Sequence, residues 1–207
     1  MINGDKNFLD KVITDDESWC FAYDPETKRQ SSEWVGEHSP RPKKLRFQKS
    51  GVKTMLIVFF DSQGILHKEF VQEGCTVNAK YYKGVLDCLI SRIRRVRPVL
   101  YRTRDFFLLY DKGPAHSAAI IRQFLTQKQV ATLNHPPYSP DLSPPDYFLF
   151  PKVKLQLKGA RFVTIEGIQK AVTDQLNKIY AEDFSNAMKK LETRANLCIT
   201  SNGSYFE

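Results

Sequence analysis

The segment Phe106-Phe107-Leu108-Leu109-Tyr110-Asp111-Lys112-Gly113-Pro114-Ala115-His116 runs from an apolar, aromatic stretch straight into an aspartate and a Gly-Pro turn. An apolar run this short, bounded by turn residues, predicts a buried strand over 106–110 that delivers Asp111 at its end. Two other aspartates hold comparable positions. Asp16 lies in Ile13-Thr14-Asp15-Asp16-Glu17-Ser18-Trp19, at the end of another apolar run. Asp146 lies in Tyr138-Ser139-Pro140-Asp141-Leu142-Ser143-Pro144-Pro145-Asp146-Tyr147, where Ser143 and the prolines predict the first turn of a helix.

Around these anchors the pattern predicts strand material at 9–14 and 19–23, interrupted by Asp15-Asp16-Glu17. A long polar loop with a basic insert covers 24–50, and a hairpin of 54–61 and 65–71 turns at Ser62-Gln63-Gly64. A helix capped by Thr76 reaches about Arg97, with Tyr81, Tyr82, Val85, Leu89, Ile93 and Val96 at helical spacing and Pro98 as its stop. Helix over 118–125, strand over 130–133, a proline-studded turn over 134–145 and helices near 165–180 and 183–198 complete the pattern. This order predicts an α/β mixed sheet with helices on its faces, in a single domain over 1–207.

Of the 207 residues, 42% are hydrophobic and 26% charged, which excludes wholesale disorder. The net charge of +8 points to a polyanionic partner. The cysteines, Cys20, Cys75, Cys88 and Cys198, include no C-x-x-C pair, so the expectation is buried free thiols rather than zinc or disulfides. The longest apolar run, 55–60, is too short to span a bilayer, and no membrane partner is expected.

Carboxylates far apart in sequence, set on strand ends and a helix start, suit two hard divalent cations, the device that drives in-line attack on a phosphodiester. Asp146 in a first helical turn would also have its anionic form favoured by the helix dipole. Taken singly, each aspartate reads equally as a cap or turn residue. Asp15 and Asp16 face opposite sides if the strand is regular, and spacing alone does not choose between them. Glu17 then faces away from Asp16.

The surrounding text makes the choice. The segments Thr14-Asp15-Asp16-Glu17-Ser18-Trp19, 110–116 and 138–147 resemble the three catalytic motifs of mariner-type DNA transposases. Thirty-four residues, 112 through 145, separate Asp111 from Asp146, the spacing of that family, and Asn202-Gly203-Ser204-Tyr205-Phe206-Glu207 resembles its C-terminal end. The resemblance implies an RNase H-like fold and a D-D-D metal and catalytic set of Asp16, Asp111 and Asp146. It also implies two Mg²⁺ ions, replaceable by Mn²⁺, and a nuclear enzyme that cuts DNA at transposon ends. The freed 3′-hydroxyl is then joined to target DNA, typically at TA. A homodimer is implied for the longer protein, with the 24–50 loop reaching the partner subunit and DNA.

Three departures stand out. Lys112 replaces the family's Asn, Asp15 replaces its Gly, and no helix-turn-helix reader is expected before Asp16. The alternative is a host-captured, catalytically silent DNA-binding or dimerisation module. Arg41, Lys43, Lys44, Arg46 and Lys49 in the loop are the expected phosphate contacts; His116 is grouped with them, as a contact to a phosphate or a metal-bound water, and reads equally as a packing residue at a helix entry. A second basic run, Arg92, Arg94, Arg95, Arg97, Arg102 and Arg104, reads as a solvated helix end. Trp19 is expected in the core, and Trp34 is left open.

Overall fold

The computed structural model describes residues 7–36 and 47–203. Arg41, Lys43, Lys44 and Arg46, four of the expected phosphate contacts, lie outside the described residues, as does the end of the chain from Ser204.

Five strands form one mixed sheet. A 10-residue β1 (Val12–Phe21) pairs antiparallel with β2 (Lys53–Asp61), which turns through a tight hairpin into β3 (Gly64–Val71). Helix α1 (Ala79–Val96) then crosses back, followed by the short α2 (Pro98–Thr103), β4 (Phe107–Leu109), α3 (Ala119–Gln127) and β5 (Ala131–Leu133). β4 lies parallel to β1 and β5 parallel to β4, giving the order β3-β2-β1-β4-β5. A π-helical turn at Pro145–Leu149 leads into α4 (Phe150–Leu157), and α5 (Ile165–Asn177) and α6 (Ala181–Thr200) end the described chain.

Strand alternation separates two cores. Ile57 and Phe59 of β2 with Ile13 and Leu108 pack against Tyr82, Leu86, Leu89 and Ile93 of α1 and Ile121 and Phe124 of α3. Leu56, Val58 and Phe60, with Val12 and Leu109, pack against Val153 of α4, Ile168 and Val172 of α5 and Phe184 and Met188 of α6. Because both faces are covered, 56–60 is buried without a break, which is why the run reads as continuously apolar rather than alternating.

Several expectations are corrected. The acidic triplet does not interrupt the first strand: Thr14↔Phe60 through Phe21↔Lys53 is an unbroken register. The cap of α1 is Asn78, whose side chain accepts from the Tyr81 N–H at 3.0 Å, two residues beyond Thr76. Pro98 stops α1 but also opens α2, where a missing N–H costs nothing. Trp19 is not a core residue: it is 40% exposed, with the Lys53 ammonium 4.1 Å above its ring. Trp34 is fully exposed. All four thiols are free, but only Cys20 is buried. No helix among the described residues is long and apolar enough to cross a membrane.

Candidate active site

The middle of β1, just past its parallel pairing with β4, the C-terminal end of β4, the turn after β5 and the start of the π-helical turn converge on one cavity of about 470 Å³. Asp16, Asp111 and Asp146 all line it, together with Lys112, His135 and Ser143. Each arrives by a different route. Asp16 sits mid-strand in β1, opposite Val58. Asp111 follows β4 by two residues. Asp146 occupies the first turn after the prolines, its N–H donated to the Ser143 carbonyl at 2.9 Å.

Alternation along β1 decides what each acid of the triplet meets. Asp16 points to the face of α4–α6. Its Oδ1 accepts from the Glu17 N–H at 2.7 Å and its Oδ2 from the Ser143 hydroxyl at 3.3 Å. Burial, followed by the neighbouring charge of Asp146, pushes the Asp16 carboxyl up to about 8. Asp15 points the other way, into the α1 core, where the Tyr82 hydroxyl donates to its Oδ2 at 2.6 Å. Its Oδ1 is buried without a partner among the described residues, and desolvation raises its carboxyl well above the usual range. Glu17, on the same side as Asp15, meets His116.

His116 is buried, not displayed toward a DNA surface as its grouping with the basic residues anticipated. Its Nδ1 lies 2.6 Å from Asp111 Oδ1 and its Nε2 3.0 Å from Glu17 Oε1. Its ring stacks on Tyr82 at a centroid distance of 4.0 Å. Burial alone would lower the imidazole, but hydrogen bonds to Asp111 and Glu17 carry it up to about 10, so both nitrogens donate. The same His116 bond, with the Gly113 N–H, holds the Asp111 carboxyl below its ordinary value. A Cβ on Gly113 would stand 3.2 Å from Asp111 Oδ1, so a side chain there would push that carboxylate aside by a few tenths of an ångström.

Sequence reasoning put Asp16, Asp111 and Asp146 together and missed Tyr82 and the Glu17–His116 bridge. The available signal for Glu17 was its parity with Asp15 along the strand. Lys112 is exposed and is among the residues that line the cavity. Of the expected phosphate contacts that are described, Lys49 stands at the loop base, 3.8 Å from Asp24 and 4.7 Å above the Phe21 ring.

The three aspartates do not close into a metal shell as they stand. Among the described residues no group of three His, Cys, Asp or Glu side chains is arranged to hold an ion. The donor set nevertheless suits a hard cation. Asp16 and Asp146 crowd each other, and among the described residues no cation pairs with either.

A mixed sheet of this order, helix-covered on both faces and carrying acids at its parallel strand ends, defines an RNase H-like domain. Comparisons agree. Residues 24–103 match the family described as transposase (partial DDE domain). The mariner Mos1 transposase of Drosophila mauritiana is 32% identical over 98% of this chain and 58% of its own length. The solved Mos1 catalytic domain superimposes with a TM-score of 0.79 at 31% identity, covering 98% of this chain and 87% of that one. A Mos1 paired-end complex with the left transposon end gives a TM-score of 0.87 at 34% identity, covering 98% of this chain and 58% of that one. Mos1 paired-end complexes have also been solved with Mn and with Mg. The chain belongs to the mariner-type transposases and corresponds to their RNase H-like catalytic domain. It spans 58% of the length of the Mos1 transposase it matches.

Proposed function

We propose that this chain is a single catalytic domain, over 1–207, for metal-dependent DNA cleavage and strand transfer. In this reading Asp16, Asp111 and Asp146 hold the divalent ions. The observation that carries it is the crowding of Asp16 against Asp146 in a cavity that Asp111 also lines. Two acids held this close without a protein cation favour an external one, and all-oxygen donors favour Mg²⁺ or Mn²⁺ over softer metals. Bound there, such ions would neutralise charge on a phosphodiester and make a water or 3′-hydroxyl more nucleophilic near neutral pH.

The protein's own share is positional. Gly113 and His116 fix Asp111, Ser143 and the Glu17 N–H fix Asp16, and the proline-led turn fixes Asp146. Lys49, together with Arg41, Lys43, Lys44 and Arg46, would add phosphate affinity without sequence choice. DNA is the proposed partner, the nucleus the proposed place of action, and a homodimer the proposed assembly in a full-length context. The Mos1 complexes with a transposon end and with Mn and Mg support the same reading.

The test is nicking of supercoiled plasmid. The folded protein should convert it to open circles in Mn²⁺ or Mg²⁺ and leave it intact in chelator. Plasmid untouched under both conditions would retire the nuclease reading. Lys112→Asn is expected to raise this activity several-fold at limiting metal, because a positive charge on the residue next to Asp111 repels an incoming cation. Half-saturating Mn²⁺ concentrations for the two proteins measure the effect, and equal values would show that Lys112 is harmless.

A further inference from the structure

Three groups near the cavity have no part in the scheme above as ligands: Tyr82, His116 and Glu17. They are buried or half-buried, come from α1, the turn before α3 and β1, and meet at the His116 ring. Their arrangement is directional. Both hydrogen bonds on Asp111, from the Gly113 N–H at 3.1 Å and from His116 Nδ1 at 2.6 Å, fall on Oδ1. Oδ2 accepts none among the described residues, although the side chain as a whole is 55% exposed and lines the cavity.

The imidazole is itself fixed on every side. Nε2 is tethered to Glu17 Oε1 at 3.0 Å, one face stacks on Tyr82, and the Tyr110 ring meets it edge-on at 5.9 Å. Tyr82 is locked in turn by its 2.6 Å bond to Asp15. The side chain of His116 is 6% exposed, so water does not compete for either nitrogen. A ring held this tightly determines where its hydrogen-bond partner sits. The partner on the solvent side is Asp111.

We infer that His116 is a positioning residue for the metal site: strapped to Glu17 and stacked on Tyr82, it takes one oxygen of Asp111 and leaves the other free to hold a divalent ion. The inference rests on the metal-dependent reading above. It assigns to Glu17 the role of anchor for the strap, not of ligand. Partners that orient a ligand in this way typically change metal affinity about 10–100-fold when lost.

Two substitutions separate positioning from packing. In His116→Asn the amide nitrogen stands where Nδ1 stood and still donates to Asp111. In His116→Gln it stands where Nε2 stood and reaches Glu17 only. Both shrink and neutralise the same buried ring. Mn²⁺ titration by calorimetry, without DNA, together with melting in chelator, provides the readout. H116N should bind Mn²⁺ within about threefold of wild type and H116Q about tenfold or more weakly. Equal affinities in the two variants, or the reverse order, would overturn the assignment. Should H116Q lack a cooperative melt, Glu17→Ala is the second variant; it cuts the strap and should weaken Mn²⁺ by up to about tenfold. Unchanged affinity in Glu17→Ala would likewise overturn it. A folded wild type that binds no Mn²⁺ at all overturns the metal-dependent reading itself, and this inference with it.

Discussion

Asp111→Ala is expected to reduce metal-dependent nicking by about 10³-fold or more, the equivalent of about 4 kcal/mol of lost charge stabilisation in the transition state. The fold should survive the change. The Asp111 side chain is 55% exposed at a strand end and packs no core. Asp16→Ala should lose activity to a similar degree with a different signature in stability. Its carboxyl is buried against Asp146, so its removal relieves a desolvated, crowded acid and the melting temperature in chelator should hold or rise. Rates on supercoiled plasmid and melting curves for both variants make the comparison. Nicking that persists in Asp111→Ala would move the chemistry to other residues.

Arg97→Ala carries the largest expected cost in stability, about 3–5 kcal/mol. Asp61, at the end of β2, is fully buried and receives a two-pronged bond from the Arg97 guanidinium, 2.8 Å to Oδ2 and 3.1 Å to Oδ1. Its Oδ1 also accepts the Gln63 N–H at 2.8 Å and so shapes the β2–β3 hairpin. Truncating the arginine orphans a buried acid on which both the hairpin and the end of α1 depend. The melting temperature should fall by about 10 °C. The pair Asp61→Asn with Arg97→Met removes both charges and keeps an acceptor for Gln63, so most of the loss should return. If Arg97→Ala melts with wild type, the pair contributes nothing net.

The parts of the fold that were legible share one property: their pattern is local. The hairpin announces itself by apolar runs flanking Ser62-Gln63-Gly64, and α1 and α3 by helical spacing. β4 is a short apolar run with turn residues after it. β1 was misread because charge was taken to break a strand. Each acid in its middle is instead matched by a residue far away in sequence: Asp15 by Tyr82, Glu17 by His116 and Asp16 by Ser143. No window on one sequence contains those partners.

The site shows the same division. Its three aspartates could be named from motif text, and the cavity brings them to a common lining. The roles of the residues behind them could not. Ser143 illustrates why. A serine ahead of two prolines reads as a helix cap, yet its hydroxyl is spent across the site on Asp16 and the turn it opens is π-helical without a side-chain cap. His116 likewise reads either as a phosphate contact or as a packing residue at a helix entry until its burial is known.

The unbroken pairing of β1 has a consequence for how this domain can change. The strand is gripped on one side by β2 and on the other by β4, so its frame cannot slide to absorb an added or deleted residue. One insertion between Val12 and Asp16 would exchange the two faces, sending the acid meant for the cavity into the Tyr82 pocket and the pocket's acid into the cavity. Side chains in this stretch can drift in identity, as a non-glycine ahead of Asp16 already attests; their number cannot.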